Sequence, residues 1–237
     1  MSKYEQLLCG ALEILQPEAK EGLRVNIDTI LLAHFTQPKH GEKILEFGCA
    51  HGAISLILAK RGFCVKGIDI EPKLVALARQ NAAHNKISAE FETADLRDYK
   101  RLAPAQSYDR IVVNPPYFEA TSGNGISPSP SLATALQGTQ CTLKEVVSAA
   151  KYLLKNRGRL DIIMSAKRAA ELFELLETNN MRVKTVRFVH PKPTREASVL
   201  LVEAVCAAKR GAKILPPLFV LDSLGNETQE MLENYKL

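Results

Sequence analysis

The sequence predicts an α/β fold: a seven-stranded, mostly parallel sheet with one antiparallel strand and helices on both faces. From residue 43 onward, short apolar segments alternate with longer amphipathic ones, which is typical of parallel strands joined by right-handed crossovers. Near the C-terminus two apolar runs follow each other with no helix between them. These two runs are therefore expected to form a hairpin, in which one strand runs against the rest.

The individual elements follow in chain order. The predicted strands cover residues 43–47, 63–70, 88–93, 107–113, 159–164, 181–189 and 197–205. The predicted helices between them cover residues 53–60, 72–85, 143–154 and 166–179. Gly62 closes the first of these helices, Pro72 lies in the first turn of the second, and Gly158 precedes the fifth strand. Residues 119–140 are rich in Ser, Gly, Pro and Thr, as in a loop.

Two helices are predicted ahead of the sheet. Apolar residues recur at helical spacing over residues 4–15, and residues 25–35 form a short buried helix with Asn26 or Asp28 as its N-cap. We expect one domain over residues 1–237, with an N-terminal helical extension (1–40), a Rossmann-like core (41–210) and a C-terminal tail (211–237).

The composition is that of an ordinary globular protein, with 46% hydrophobic and 24% charged residues in 237. No apolar run reaches the 18 or so residues of a membrane span. The N-terminus carries acids within its apolar stretch and lacks a small-residue cleavage site, so no signal peptide is predicted. The five cysteines form no C-x-x-C pair, which implies neither a zinc site nor a disulfide framework and favours the cytoplasm.

The formal net charge of +5 is unevenly distributed. Residues 144–213 contain fifteen Lys or Arg against seven Asp or Glu. A basic segment of this kind suits a polyanion such as nucleic acid. A solvated helix face and loop is the equally weighted alternative.

Polar residues mark the ends of the predicted parallel strands, where ligands bind in open α/β sheets. The first strand ends in Glu46 and leads into a turn in which Gly48 and Gly52 let the backbone approach a ligand. The second ends in Asp69, an acid that can hold two ribose hydroxyls, and the third near Asp95, which can accept a hydrogen bond from an adenine amino group. The pattern also fits a nicotinamide cofactor, although G-x-G-x-x-G is missing.

The fourth strand ends in the tetrapeptide Asn114, Pro115, Pro116 and Tyr117. Neither proline can donate to a sheet, so the strand must stop there. The resulting stiff turn presents an amide, carbonyl groups and an aromatic ring, which suits a flat, hydrogen-bonding substrate. The alternative is a loop that merely ends a strand.

Together these strand ends resemble the motifs of Rossmann-like class I S-adenosylmethionine-dependent methyltransferases that act on exocyclic or amide nitrogen. The resemblance extends to the flanking segments NIDTILLA (26–33), RFVHP (187–191) and LPPL (215–218), which are similar to the bacterial tRNA1(Val) adenine-37 N6-methyltransferase family along nearly the whole chain. Ala50 stands where this family usually has glycine, and residues 136–138 replace a basic-acidic triplet.

The resemblance implies S-adenosylmethionine as cofactor and no metal. The implied cofactor-binding residues are Glu46, Gly48, Cys49, Ala50, Gly52, Asp69, Ile70, Asp95, Leu96 and Asn114. The implied catalytic residues are Asn114, Pro115, Pro116 and Tyr117. The implied substrate is tRNA, specifically adenosine 37 in the anticodon stem-loop of tRNA1(Val), and a monomer or weak dimer is expected.

Three other functions remain open. The same tetrapeptide serves enzymes that methylate a glutamine amide in a protein, although the 40 residues before the sheet are short for their N-terminal helical domain. A DNA adenine methyltransferase and a non-catalytic RNA-binding module are the other two.

Several single residues have two interpretations. His51 is a loop filler or a proton carrier, Cys49 a packing residue or a nucleophile, and Asp28 a helix cap or a cofactor contact. The turn at residues 190–195 contacts RNA phosphate or is simply solvated.

Overall fold

The structure is a computed structural model that describes residues 4–17, 24–115 and 141–237. The strands are β1 (Glu5–Leu7), β2 (Leu12–Ile14), β3 (Lys43–Phe47), β4 (Cys64–Asp69), β5 (Glu90–Thr93), β6 (Tyr108–Val113), β7 (Leu154–Ser165), β8 (Met181–His190), β9 (Val199–Cys206), β10 (Lys213–Ile214) and β11 (Leu218–Phe219). The α-helices are α1 (Ile27–Phe35), α2 (Ala53–Lys60), α3 (Pro72–His84), α4 (Tyr99–Leu102), α5 (Leu143–Leu153), α6 (Ala169–Thr178) and α7 (Gln229–Asn234).

A central sheet runs in the order β10-β8-β9-β7-β6-β3-β4-β5, with β11 also paired to β8. Strands β3 to β7 are mutually parallel, and β9 is antiparallel to both β7 and β8. All seven predicted strands are present, so the predicted fold class is confirmed. The chain adds β3, β4 and β5 in one direction and then returns to place β6 beside β3, which creates a topological switch point between these two strands.

Helices cover both faces of the sheet because each face carries its own apolar cluster. One cluster joins α1, α2, α3 and α7 to the sheet, and includes the buried residues Leu32, Leu56 and Ala78. The other joins α5 and α6, and includes Val147 and Leu172. The sheet is therefore enclosed between two helical layers. Because both faces are covered, the ends of the strands remain as places where a ligand can bind.

The N-terminal segment is a β-hairpin, so the predicted helix over residues 4–15 is wrong. Strands β1 and β2 pair antiparallel, with Glu5 opposite Ile14. Between them the chain turns through Leu8 (φ 53°), Cys9 (φ 52°) and Gly10 (φ 85°). Three consecutive residues with left-handed φ are incompatible with an α-helix of L-residues. The positions of the apolar residues in this segment are compatible both with an α-helix and with a β-hairpin.

Two asparagine side chains, Asn81 of α3 and Asn85 at its C-cap, hold β2 in place. The Leu15 N–H donates to Asn81 Oδ1 at 2.7 Å, and Asn81 Nδ2 donates back to the Leu15 carbonyl at 3.0 Å. Asn85 makes the same pair of bonds to the backbone of Glu13, at 3.0 and 2.7 Å. The asparagines are four residues apart and so lie on one face of the helix. Asn81 Nδ2 also donates to the carbonyl of His51 at 2.9 Å, which links the hairpin to the turn after β3.

One strand boundary differs from the prediction. Strand β7 begins at Leu154, five residues before the predicted start, because Leu154 already pairs with Tyr108 across a register shift. The C-terminal segment from residue 211 contains β10, β11 and α7. Arg187 of β8 donates to Glu230 of α7 and holds that helix near the sheet.

Within the described ranges, no helix is both long enough and apolar enough to cross a membrane.

Candidate cofactor and acceptor site

The candidate site lies at the carboxyl ends of β3 and β6. In the sheet Phe47 is opposite both Val113 of β6 and Ile68 of β4. Gly48 and Asn114 each follow one of these aligned residues, and neighbouring strands lie about 4.8 Å apart. The turn after β3 and the tetrapeptide after β6 therefore begin side by side at the topological switch point.

The two glycines of the turn, Gly48 and Gly52, are present for different structural reasons. Gly48 is exposed at φ 66°, and a Cβ placed there would meet no atom within 4 Å. Gly52 is at φ 90°, and its Cβ would lie 3.0 Å from Ala78 Cβ and 3.0 Å from Phe91 Cζ. Gly48 therefore faces open space, whereas Gly52 allows the start of α2 to pack against α3 and β5.

Asp69 fixes this turn from the neighbouring strand. Its Oδ2 accepts the N–H of Ala50 at 2.8 Å, and its Oδ1 accepts the N–H of Glu71 at 3.0 Å. Ala50 adopts φ 47°, so it takes the left-handed conformation without being glycine. Burial raises the pKa of Asp69, and the two N–H bonds act in the opposite direction. A carboxylate oxygen can accept more than one hydrogen bond, so Asp69 keeps capacity for ribose hydroxyls.

Glu46 lies beneath the turn rather than in it. Its buried Oε2 accepts the Ser55 N–H at 2.8 Å and the Ser55 hydroxyl, which fixes the first turn of α2. Burial raises the pKa of Glu46 to about 8. A direct contact between Glu46 and the cofactor stays a prediction.

Cys49 and His51 are packing residues in this structure. A Cβ on Gly67 would lie 2.8 Å from Cys49 Cβ, so the cysteine fills the space above that glycine. Burial raises the pKa of the Cys49 thiol, which disfavours a nucleophilic thiolate. The His51 ring is 4% exposed, and neither ring nitrogen has a hydrogen-bond partner among the described residues. Burial lowers the pKa of His51 to about 4, so it is neutral at pH 7.

Asp95 has a partner that the sequence analysis missed. Its carboxylate accepts the Arg97 N–H at 2.8 Å and Arg97 Nη2 at 2.6 Å. This arginine lowers the pKa of Asp95. An adenine amino group bound by Asp95 would share the carboxylate with Arg97. In the sequence, the signal that could have indicated this ion pair is the basic residue two positions after Asp95. Leu96 is half-buried beside it, as is Ile70 after Asp69.

Asn114 and Pro115 are half-buried at the end of β6. Pro116 and Tyr117 lie outside the described residues, so their catalytic roles stay predictions. Asn26 is the N-cap of α1, since its side chain accepts the Thr29 N–H at 3.1 Å. Asp28 is the second residue of that helix and is buried, which removes the capping interpretation.

A cavity of about 580 Å³ opens elsewhere, between the end of α2 and the starts of β4 and β5. It lies at the amino ends of the strands, away from Gly48 and Asn114, and is separate from the site.

The family model described as methyltransferase small domain matches residues 24–189, which include both strands of the switch point and the turns that follow them. The chain belongs to this methyltransferase family. It is 30% identical over 147 residues to a tRNA1(Val) (adenine(37)-N6)-methyltransferase of a Flavobacteriaceae bacterium, covering 61% of each chain. It is 28% identical to an enzyme of the same name from Shewanella halifaxensis, over 70% of this chain and 68% of that one. The chain thus spans about three-fifths of the length of the first relative and two-thirds of the second.

The fold has a counterpart among solved structures. A structure described as a predicted O-methyltransferase from Agrobacterium tumefaciens superposes with a TM-score of 0.69 at 18% identity, covering 88% of this chain and 97% of that chain. At this identity the likeness concerns the fold alone.

S-adenosylmethionine is the cofactor of this methyltransferase family, and the described residues fit it. Gly48 borders open space, and Asp69 presents a carboxylate with remaining acceptor capacity one strand away. When bound, the cofactor supplies an electrophilic methyl group and its own leaving group. The chain's own residues must then bind the cofactor and orient the acceptor towards its methyl group.

Proposed function

We propose that this enzyme methylates the exocyclic N6 amino group of an adenine in tRNA, and that its substrate is adenosine 37 in the anticodon loop of tRNA1(Val). The reaction class rests on one observation: Asn114 follows β6 directly beside Gly48, across the aligned pair Phe47 and Val113. This register brings an amide-bearing strand end next to the turn assigned to the cofactor.

An adenine amino nitrogen is a weak nucleophile because its lone pair is delocalised into the ring. The Asn114 side-chain oxygen and the Pro115 carbonyl offer two acceptors for its two N–H bonds. Both bonds strengthen as positive charge develops on nitrogen, so they stabilise the transition state more than the ground state. A carbon–nitrogen bond would form as the carbon–sulfur bond of the methyl donor breaks and leaves its electron pair on sulfur, and the extra proton on nitrogen would then leave to water. Tyr117 is assigned a stacking contact with the extruded base, worth about 1–3 kcal/mol in comparable systems.

The choice of tRNA is supported by the names of the relatives and by charge. Relatives at 24–30% identity carry the tRNA1(Val) adenine-37 name, and the chain has an excess of basic residues. We propose the cytoplasm as its location and a monomer or weak dimer as its state, in keeping with a tRNA substrate.

Transfer of a tritiated methyl group tests the proposal. The protein is incubated with labelled S-adenosylmethionine and, in separate reactions, with unmodified tRNA1(Val) transcript, total DNA or release factors. We expect label in the tRNA alone, as N6-methyladenosine. A transcript carrying guanosine at position 37 is the matched control and should remain unlabelled.

Each other outcome assigns a different function. Label in the guanosine-37 transcript would contradict position 37, and label in DNA or release factors would contradict tRNA as substrate. No transfer to any substrate would favour the non-catalytic RNA-binding module.

A further inference from the structure

We infer that Lys167, Lys192 and Arg195 form a docking surface for the phosphate backbone of structured RNA, beside the acceptor site. These three residues are called the edge cations below. The inference rests on the proposed function, and it assigns RNA contact to one part of the basic C-terminal half and not to the rest.

Strand direction places the edge cations on the same edge as Asn114. Strand β7 is parallel to β6, with Ile162 opposite Val113, and it continues to Ser165 and the 3-10 turn Ala166–Arg168. Strand β8 runs in the same direction as β7 because both are antiparallel to β9. The turn after β8, which carries Lys192 and Arg195, therefore also lies at the carboxyl edge. Three strand spacings separate β6 from β8, or about 15 Å.

The turn that carries two of these cations is held by backbone and ring contacts. His190 Nδ1 lies 2.8 Å from the carbonyl of Arg195, and the Arg195 N–H donates to the Lys192 carbonyl at 3.0 Å. The Ser198 N–H closes the turn on the Val189 carbonyl at 2.9 Å. The turn thus presents its charges from a defined position at the carboxyl edge.

Ala166, which precedes Lys167, is joined to the same turn. Its N–H donates to the Ser198 carbonyl at 3.0 Å. Lys167 is exposed, as is Arg195, and Lys192 is half-buried. The turns after β7 and β8 therefore form one continuous surface. The three cations are distributed along it at increasing distance from β6.

Ion pairing separates this surface from the basic residues at the amino edge. There Lys155 pairs with Asp109, Arg159 with Glu203, and Arg182 and Arg210 with Glu177.

The edge cations make no ion pair within the described part of the chain. Two carboxylates belong to neighbouring segments: Glu171 is paired with Arg168, whereas Asp222 accepts N–H bonds from its own loop and keeps its negative charge. Glu196 is the one acid within the turn itself. The surface therefore keeps a positive charge that can act on a partner.

The partner that fits is the backbone of folded RNA. Three cations spread from the strand next to β6 to the third strand beyond it suit a row of phosphates flanking an extruded base. They are too dispersed to enclose one small anion. Their contribution is electrostatic, so it falls as salt rises.

The test compares two triple variants of the full chain. The edge variant is Lys167→Gln, Lys192→Gln and Arg195→Gln. The control variant is Lys60→Gln, Arg157→Gln and Lys209→Gln, which removes three exposed cations at the amino edge that also make no ion pair among the described residues. Binding of unmodified tRNA1(Val) transcript is measured across a salt series, beside the KM and kcat for methylation and the affinity for S-adenosylmethionine.

We expect the edge variant to bind RNA about 30-fold more weakly near 0.1 M salt, with a salt slope lower by about 2. Its KM for RNA should rise, whereas its kcat at saturating RNA and its cofactor affinity should stay within about twofold. The control variant should match the wild type. If the wild type methylates the transcript and the edge variant binds like the control, the docking surface is wrong while the proposed function stands. If the wild type neither binds nor methylates the transcript, both fail.

Discussion

The two halves of the sheet achieve their roles by different means. In the cofactor half (β3, β4 and β5), the key groups are positioned by hydrogen bonds within the fold, such as the part-buried bond from Ala50 N–H to Asp69 and the buried bond from Ser55 N–H to Glu46. In the acceptor half (β6 to β9), the polar groups of interest stand at strand ends, half-buried or exposed. The acceptor half also has a buried ion pair, Arg110 with Asp161, but this pair lies within the strands and not at their ends. Substitutions of the hydrogen-bonded groups in the cofactor half should therefore alter stability or cofactor affinity, and those of the strand-end groups in the acceptor half should alter transfer.

The largest effect is expected for Asn114→Ala. Loss of the side-chain acceptor should lower kcat by about 1000-fold, the scale seen when a preorganised transition-state contact is removed. Cofactor affinity, measured by calorimetric titration, should stay within a few-fold, and so should the denaturation midpoint. Asn156→Ala, at an exposed position of β7, is the control. Near-normal turnover in a tritiated-methyl assay would contradict the role of Asn114.

Asn81→Leu should produce the next largest effect. It leaves the buried N–H and carbonyl of Leu15 and the carbonyl of His51 without their partner. We expect the free energy of unfolding in urea to fall by about 3 kcal/mol. Cofactor affinity should weaken several-fold, because the glycine turn loses its link to α3. Asn85→Leu, at a less buried position, should cost less than Asn81→Leu. Equal costs would mean that burial does not govern the two contacts.

Asp69→Ala should weaken cofactor binding by about 50-fold, which corresponds to about 2.3 kcal/mol. The variant loses both the proposed ribose contact and the bond that fixes Ala50. Its kcat at saturating cofactor should change little, which separates it from Asn114→Ala. Glu90→Ala, at the amino end of β5, is the matched control. A kcat loss equal to that of Asn114→Ala would remove the distinction between the two halves.

His51 predicts a pH dependence of stability. Its pKa is lowered to about 4 in the folded protein from an ordinary 6.5, so the unfolded chain binds the extra proton between these values. The contribution of His51 to stability should therefore fall as the pH is lowered through 6.5 towards 4, by about 2 kcal/mol between pH 7 and pH 5. The raised pKa of Glu46, about 8, acts in the opposite direction, because the folded state binds that proton first.

The His51 contribution is isolated by subtracting the unfolding free energy of His51→Leu from that of the wild type at each pH. The difference should shrink by about 2 kcal/mol from pH 7 to pH 5. A difference independent of pH would show that the His51 ring is not held neutral by burial.

Much of the fold and part of the site followed from the sequence, for physical reasons. The order of strands and helices could be predicted because the periodicity of apolar residues, and the Gly and Pro residues that end each element, are local signals. The hairpin at residues 4–15 was not, since what stabilises it is the pair Asn81 and Asn85, far along the chain. The Asp95–Arg97 contact was local, yet an acid and a base two residues apart do not indicate on their own that they meet.

The distribution of the basic residues could not be predicted by counting charges along the sequence. The excess of Lys and Arg over residues 144–213 suggested a single basic surface. Strand direction divides it between two opposite edges of the sheet, and ion pairing neutralises much of one of them. Only topology, which is a long-range property, distinguishes the cations beside the acceptor site from those that merely stabilise the fold.

The attachment of β2 to side chains of α3, rather than to a strand of the central sheet, has a kinetic consequence. The bond between Leu15 and Asn81 joins residues 66 apart, so docking of the hairpin closes a long chain loop and should come late in folding. It should also be the first contact to open, with the amide proton of Leu15 exchanging faster than those of β3. Since Asn81 also holds His51, anything that pulls on the N-terminus acts directly on the turn to which cofactor binding is assigned.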